Sequence, residues 1–353
     1  MKEAAARGLA LNKQKIVRKM NPVRTKIIFL TPHINTPSTR FRVLQNIPEL
    51  EKNAFDITIH EIPKGIFARK KLFDSLPSYD IVFLQKKTFQ RVTFYYLRRK
   101  SKILIYDFDD AVMFRDSNAA YFHSPSNLSR FRNILKHADV VVSGNEYLKN
   151  LAMPHATKVV VIPTGIDTQT YARKSSSDIS YPITIGWIGS KPNLIYLKQL
   201  IEPVNKLYKI TRNFRFKIVC DDFIDGFECP VEKKIWKKED EVTDIQSFDI
   251  GVMPLLNDQW TKGKCALKLL QYMSCGLASV SSDTDVTSSI IRDGINGFLA
   301  SSDSQWMEKT KFLFENPDKL ITIGNEARKS IEGNYDSKTT ALKYAAVFDH
   351  VSG

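Results

Sequence analysis

The sequence predicts an α/β protein built as two doubly wound parallel-sheet halves facing a central cleft, on three observations. Apolar strand-sized segments alternate with helical patterns along nearly the whole chain. Several of those strands, such as "DIVFLQ", "KILIY" and "KVVVIP", are apolar throughout, as strands covered on both faces are. With 353 residues, 43% of them hydrophobic, the chain is too long for one ordinary core, so two are expected.

The first strand is read at 26–30 ("KIIFL"). A loop, "TPHINTPSTRFR", leads to a helix over "VLQNIPELEKN". The strand "FDITIHEI", a basic helix near "FARKKLFDSL" and the strand "DIVFLQK" follow. Next come the helix "TFQRVTFYYLRRK", the strand "KILIYDF" with its acidic loop, the helix "SNLSRFRNILKHA", the strand "DVVVSG", the helix "NEYLKNLA" and the strand "KVVVIPTG". A polar stretch, "YARKSSSDISYP", reads as a linker. The alternation then restarts with "ITIGWIG", a long helix over "LIYLKQLIEPVNKLYK", the strands "FRFKIVC" and "KKIWK", the helix "EVTDIQSF" and the strand "DIGVMPL". A helix over "CALKLLQYM", the strand "LASVSSD", a helix over "VTSSIIRDG" and the short strand "GFLA" precede three terminal helices. The expected units are a basic tail (1–25), a first half (26–175), a second half (176–335) and a final helix (336–353) that returns to the first half. Ligands in such folds sit in the crevice at the carboxyl ends of the strands.

The net charge is +14 and the isoelectric point about 9.4, which favours anionic partners. Cations crowd the start of the chain, and "RRK" at 98–100 forms a second run. A solvated tail and a membrane-docking tail both fit; docking is worth about 1 kcal/mol per well-placed Lys or Arg. Nucleic acid is not an expected partner, because no helix-turn-helix, RNA-recognition or zinc-finger pattern accompanies the charge. No stretch approaches the roughly 18 apolar residues of a membrane span, and the early charges predict no secretory leader. The four cysteines form no CxxC pair, so neither a zinc site nor a disulfide framework is expected and the thiols read as reduced and cytosolic.

Five segments carry candidate chemistry. In "GKCALKLLQYM", Lys264, Lys268 and Gln271 fall on one stripe at about 100° per residue, opposite the packing stripe of Ala266, Leu269, Leu270 and Met273. Two like charges at i and i+4 repel unless an anion lies between them. The stripe could hold a diphosphate at the lysines and a sugar or ribose hydroxyl at Gln271; a solvent-facing stripe is the plainer alternative. In "IGWIGSKPN", Gly189 and Ser190 end a strand, and Asn193 could cap the next helix, which suits a phosphate or an ordinary turn. Asp107, Asp109 and Asp110 in "YDFDDAVMF" follow a strand; they could orient an acceptor hydroxyl, act as a base or hold a cation, or serve as local caps and salt bridges. Arg40 and Arg42 in "NTPSTRFR" could clamp a phosphate or carboxylate, or Arg42 could pair with a nearby carboxylate. "PTGID" (163–167) reads as a tight turn into the linker.

Taken in order, "HADVVVSGNEYLKNLA", "KVVVIPTGID", "IGWIGS", "FDIGVMPL", "GKCALKLLQYMSCGLASVSSD" and "IIRDGINGFLA" resemble the landmarks of the retaining, metal-independent GT-B glycosyltransferases (glycosyltransferase family 4-like, glycosyl transferases group 1). The likeness spans about residues 26–351. It implies two Rossmann-like domains and transfer of a sugar from a nucleotide-diphosphate donor to a glycan or lipid-linked acceptor, with retention at the anomeric carbon. It implies no cofactor or metal beyond the nucleotide-sugar co-substrate. The second half would hold the donor, with Gly189 and Ser190 by the diphosphate and Lys268 neutralising it as it departs. Asp109 and Asp110 stand where the family often has a His-Asp pair near the acceptor. A cytoplasmic place, peripheral on the inner face of a bacterial membrane and serving cell-envelope polysaccharide or glycolipid synthesis, is the expected setting.

The sequence departs from the family at one signature. Two glutamates separated by seven residues usually hold donor sugar and ribose; here the positions read Lys264 and Gln271. That implies either an acidic donor group, a different grip on the donor, or a non-catalytic scaffold of the same architecture. A sugar-nucleotide epimerase shares the architecture too, but needs cleft acids and histidines for which His33 and His123 are the nearby candidates.

Overall fold

The computed structural model describes residues 24–174, 179 and 181–352. Most of the basic tail, and part of the linker, lie outside the described residues. Two sheets organise the chain, each of six parallel strands in the order β2-β1-β3-β4-β5-β6 and β12-β11-β10-β7-β8-β9. These are the two parallel-sheet halves that the alternation predicts.

In the first sheet the strands are β1 (Thr25–Thr31), β2 (Phe55–Glu61), β3 (Ile81–Gln85), β4 (Ile103–Phe108), β5 (Val140–Ser143) and β6 (Val159–Val161). One face is covered by α3 (Ile66–Asp74), α4 (Arg91–Lys100), α5 (Pro125–His137) and α6 (Glu146–Ala152), whose buried apolar residues join Ile28, Val82 and Leu104 in one cluster. The other face meets α2 (Ile47–Lys52) and the last helix, α15 (Ser337–Ser352). The ring of Phe348 makes edge contacts with Phe29, Phe55 and Phe83. The C-terminal helix is thereby part of the first core.

One local expectation fails here. The segment after β1 is not a loop up to Arg42: it forms α1 (Pro37–Arg42), capped by the Thr36 side chain and started by Pro37. Proline at the first helical position and a threonine cap are favoured helix starts, so "NTPSTRFR" holds a helix signal that the loop reading passes over.

The second sheet comprises β7 (Ile183–Ile188), β8 (Phe214–Cys220), β9 (Val231–Ile235), β10 (Ile250–Met253), β11 (Ala278–Ser282) and β12 (Phe298–Ala300). The expected long helix after β7 is broken into a 3-10 turn (Lys191–Asn193), α7 (Leu194–Leu197), a second 3-10 turn and α8 (Ile201–Ile210). The remaining helices are α9 (Glu241–Gln246), α10 (Gln259–Lys262), α11 (Leu267–Ser274), α12 (Asp285–Ser288), α13 (Asp303–Glu315) and α14 (Pro317–Asn334). Among the described residues no helix is long and apolar enough to cross a membrane.

Candidate functional site

Parallel strands put all their carboxyl ends on one edge, and the two sheets turn those edges toward each other across a cavity of about 600 Å³. That volume suits a small-molecule ligand. Residues of α1, β3, β4, β7, β10 and α11, or of the loops that follow those strands, line it. The two halves touch on both sides of the opening. On one side Ser117 Oγ donates to Asp258 Oδ2 (2.7 Å) and pairs with the Tyr196 hydroxyl (2.9 Å), and Asn118 Nδ2 donates to the Pro192 carbonyl (2.9 Å). Deeper in, Asn145 Nδ2 donates to the carbonyls of Lys262 (3.1 Å) and Lys264 (3.0 Å).

Helix α11 carries Lys268. Its apolar residues Leu269, Leu270 and Met273 are buried, and the Tyr272 hydroxyl accepts from the Ile188 N–H on β7 (3.1 Å). The helix stops in a left-handed Gly276 (φ +75°), with Gly276 N–H bonded to Met273 O (3.0 Å) and Leu277 N–H to Tyr272 O (3.1 Å). That pair of bonds is a glycine C-cap. The helix begins only at Leu267, however, after Ala266 in a left-handed conformation (φ 53°). Lys264 therefore lies in the loop before the helix, so the i and i+4 helical pairing with Lys268 does not form, although both side chains line the cavity.

Both ammonium groups lie over aromatic rings: Lys264 at 5.4 Å from Tyr196 and 5.8 Å from Trp260, Lys268 at 5.7 Å from Trp187. Lys264 Nζ also reaches Asn193 Oδ1 at 3.4 Å. Burial, and then the neighbouring Lys264 charge, bring the Lys268 pKa down from 10.5 to about 7. A lysine so placed binds its proton weakly until an anion arrives.

Gly189 and Ser190 also line the cavity. A side chain at 189 would meet the Trp187 ring at 2.3 Å, so glycine is required for packing whatever it binds. Ser190 Oγ accepts from Asn193 Nδ2 (2.8 Å). Asn193 is not the helix cap expected: it ends a 3-10 turn and makes no capping bond to α7.

On the opposite wall, Asp109 and Asp110 follow β4 and face Lys86, a residue absent from the sequence reading. Lys86 Nζ bonds to Asp110 and lies 3.6 Å from Asp109 Oδ1. Burial would weaken the hold of Lys86 on its proton, but the two carboxylates outweigh it and its pKa is raised. Burial likewise favours protonated Asp109, but Lys86, Arg42 and a Ser38 hydrogen bond prevail and its pKa is lowered. Lys86 has φ 57°, an uncommon conformation for a bulky residue that places strain next to these carboxylates. The neighbouring Cys265 is no nucleophile: burial pushes its thiol up to about 12.

Three predicted ligand residues lie elsewhere. Arg42 and Asp107 are sealed in the first core, with Nε to Oδ2 at 2.8 Å and both side chains fully buried. Arg42 further donates to the Ile162 carbonyl (3.1 Å), and the Tyr344 hydroxyl of α15 donates to Asp107 (3.1 Å). They are a structural clasp and do not line the cavity, in keeping with the alternative of local pairing. Arg40 points across the cleft to Glu241 on α9, with Nη2 at 2.9 Å and Nη1 at 3.3 Å from the two carboxylate oxygens. Glu241 is the other residue that sequence reading missed. It also accepts from the Tyr171 hydroxyl, from Trp236 Nε1 (3.0 Å) and from Gln271 Nε2 (3.2 Å). Gln271 lines the cavity, but its amide is engaged with this carboxylate and with Tyr171 (3.1 Å).

The site is thus a cavity between two parallel sheets, with the ammonium groups of Lys264 and Lys268 on one wall and a lysine-held carboxylate pair on the other. Residues 182–316, in the second half of the chain, match the family model described as "Glycosyl transferases group 1". No curated protein matches the sequence. Among solved structures, HepE from Anabaena in complex with UDP and glucose aligns with TM-score 0.70 at 16% identity, covering 93% of this chain and 100% of that one. Sucrose-phosphate synthase from Thermosynechococcus elongatus aligns with TM-score 0.69 at 12% identity (93% and 99%). A glycosyltransferase from Rickettsia africae gives 0.69 at 12% (93% and 98%). At these identities the likeness establishes the shared fold.

Proposed function

We propose that this chain transfers a sugar from a nucleoside-diphosphate donor to a hydroxyl of a glycan or lipid-linked acceptor, with retention at the anomeric carbon. The observation that carries this reading is the pair of ammonium groups, Lys264 and Lys268, that have no carboxylate partner among the described residues and lie on the α11 side of the cavity. HepE, of the same fold, is held in complex with UDP-glucose, which supports a nucleotide-sugar donor.

In the reaction the bond from the anomeric carbon to the diphosphate oxygen breaks and its electron pair leaves with the diphosphate. Lys268, with Lys264 behind it, stabilises that growing charge, a task that in this site falls to side chains. The acceptor oxygen forms the new bond on the same face of the sugar. Its proton passes to the Asp109–Asp110 pair, which Lys86 holds in place. Because Lys86 lowers the pKa of Asp109 and so weakens it as a base, orienting the hydroxyl is the larger part of the pair's work. The biological setting we infer is synthesis of cell-envelope polysaccharide or glycolipid at the cytoplasmic face of a bacterial membrane.

The test is thermal melting with a panel of UDP-, GDP- and ADP-sugars. A ligand at about 100 times its Kd stabilises by about 2.7 kcal/mol. One nucleotide family should shift the melt, and Lys268→Ala should abolish the shift. No shift with any nucleotide would leave the non-catalytic scaffold as the better reading.

A further inference from the structure

The first half exposes an apolar and cationic rim that the transfer reaction does not use. Phe67, Ile66 and Val92 are 89%, 79% and 83% exposed, which is unusual for three large apolar side chains on neighbouring elements. Ile66 and Phe67 open α3, and Val92 is the second residue of α4. The loop before α4 is tied to α3 through Phe89. Its ring packs edge-on against Phe73 at 5.9 Å and lies under the Arg69 guanidinium at 5.8 Å.

The surrounding charge is predominantly positive. Segments 62–74 and 86–100, which hold α3, α4 and their leading loops, contain ten Lys or Arg and one acid, Asp74, which pairs with Lys70 and Lys100 at the far end of the helices from Phe67 and Val92. Topology fixes where this surface lies. Helix α3 follows β2 and α4 follows β3, so both start at the carboxyl edge of the sheet, the edge that presents Lys86 and Asp109 to the cavity.

From this juxtaposition we infer that the α3–α4 rim is a docking surface for an anionic lipid bilayer, with Ile66, Phe67 and Val92 entering the interface and the surrounding cations meeting the headgroups. Apolar tips ringed by Lys and Arg bind such interfaces through both terms together. A second copy of the chain fits poorly, because a self-contact would press two cationic surfaces together. The chain's own N-terminal tail fits poorly for the same reason, since residues 1–23 carry six Lys or Arg against one Glu. A bilayer on this rim delivers a lipid-linked acceptor to the Asp109 wall without the acceptor leaving the membrane. The inference rests on the proposed reaction only for that last advantage; the docking itself stands apart from it.

The experiment is co-sedimentation of the full-length chain with vesicles of phosphatidylcholine plus phosphatidylglycerol, and with pure phosphatidylcholine. The protein should partition onto the anionic vesicles and not the neutral ones. Phe67→Ser/Val92→Ser should lower the partition coefficient at least tenfold, and Arg91→Glu by about fivefold or more, while nucleotide-sugar binding by calorimetry stays unchanged. Unaltered partitioning of both variants overturns the inference, as does binding that is lost only when residues 1–23 are deleted. Absence of vesicle binding together with a concentration-dependent dimer lost in Phe67→Ser/Val92→Ser also overturns it, in favour of self-association. Because nucleotide binding is read separately, failure of the docking and failure of the donor assignment give different results.

Discussion

If Lys268 meets the donor diphosphate as proposed, its low pKa makes donor binding a proton-coupled event. In the free protein its pKa is about 7, from burial and from Lys264. A diphosphate against the ammonium favours the charged form and raises that value, so binding above pH 7 takes up a proton. With a free-state pKa of about 7 and a bound-state group that stays protonated through the assay range, affinity should fall about tenfold from pH 6 to pH 8, roughly 1.4 kcal/mol. Uptake at pH 8 should approach about 0.9 proton per site by the same titration. The assay is calorimetry with the nucleotide sugar in two buffers of different ionisation enthalpy. The intact sugar donor is required, because a terminal phosphate itself titrates near pH 6. Lys268→Met should bind weakly with no uptake. Lys264→Met should move the pH dependence upward, since the repelling charge is gone. A pH-independent affinity in the unmodified protein, or proton uptake that survives Lys268→Met, would refute the assignment of Lys268 to the diphosphate.

Three further outcomes are expected. Asp107→Asn, or Arg42→Met, leaves one member of a fully buried pair without its counter-charge; urea unfolding should show a loss of about 3–5 kcal/mol. Asp109→Asn and Asp110→Asn should each lower turnover by about 10²-fold or more, with donor affinity by calorimetry little changed, because both face the acceptor side. Gly263→Ala would put a methyl 2.7 Å from the Ala111 backbone nitrogen and methyl; the two halves must separate, and scattering should report a more open particle with weaker donor binding.

The alternation of strands and helices was readable because parallel strands buried on both faces need continuous apolar runs, and both six-stranded sheets carry them. Local boundaries were less readable where a capping signal competed with a turn signal, as at Thr36–Pro37. Site residues that end strands, Asp109, Asp110, Gly189 and Ser190, were found because the carboxyl edge of a parallel sheet is where ligands go. Lys86 obeys the same rule at the end of β3 and could have been found by it. Glu241 could not: it reaches the cavity from α9, and nothing in its local sequence sets it apart from the acidic residues around it. Arg42 and Asp107 misled for a related reason. Both sit at the correct edge, yet the Tyr344 hydroxyl closes over Asp107 from a helix more than 200 residues away, and no local pattern reports that.

Glu241 also accounts for the amide at position 271. Its carboxylate already receives Arg40, Tyr171, Trp236 and the Gln271 amide, and it sits 3.2 Å from that amide nitrogen. A glutamate at 271 would set two carboxylates against each other in a buried corner, and one would have to take up a proton. A glutamine instead donates to the acid. The same logic holds at 264, where the side chain faces the rings of Tyr196 and Trp260. Aromatic faces attract a cation and offer a carboxylate nothing. Each substituted position thus has a partner chemically matched to it, one carboxylate and two rings, contributed by α9, α7 and α10. A site that had merely lost its acidic pair would have no cause to surround the replacements so consistently, and this is the structural argument that the pocket is kept for a ligand.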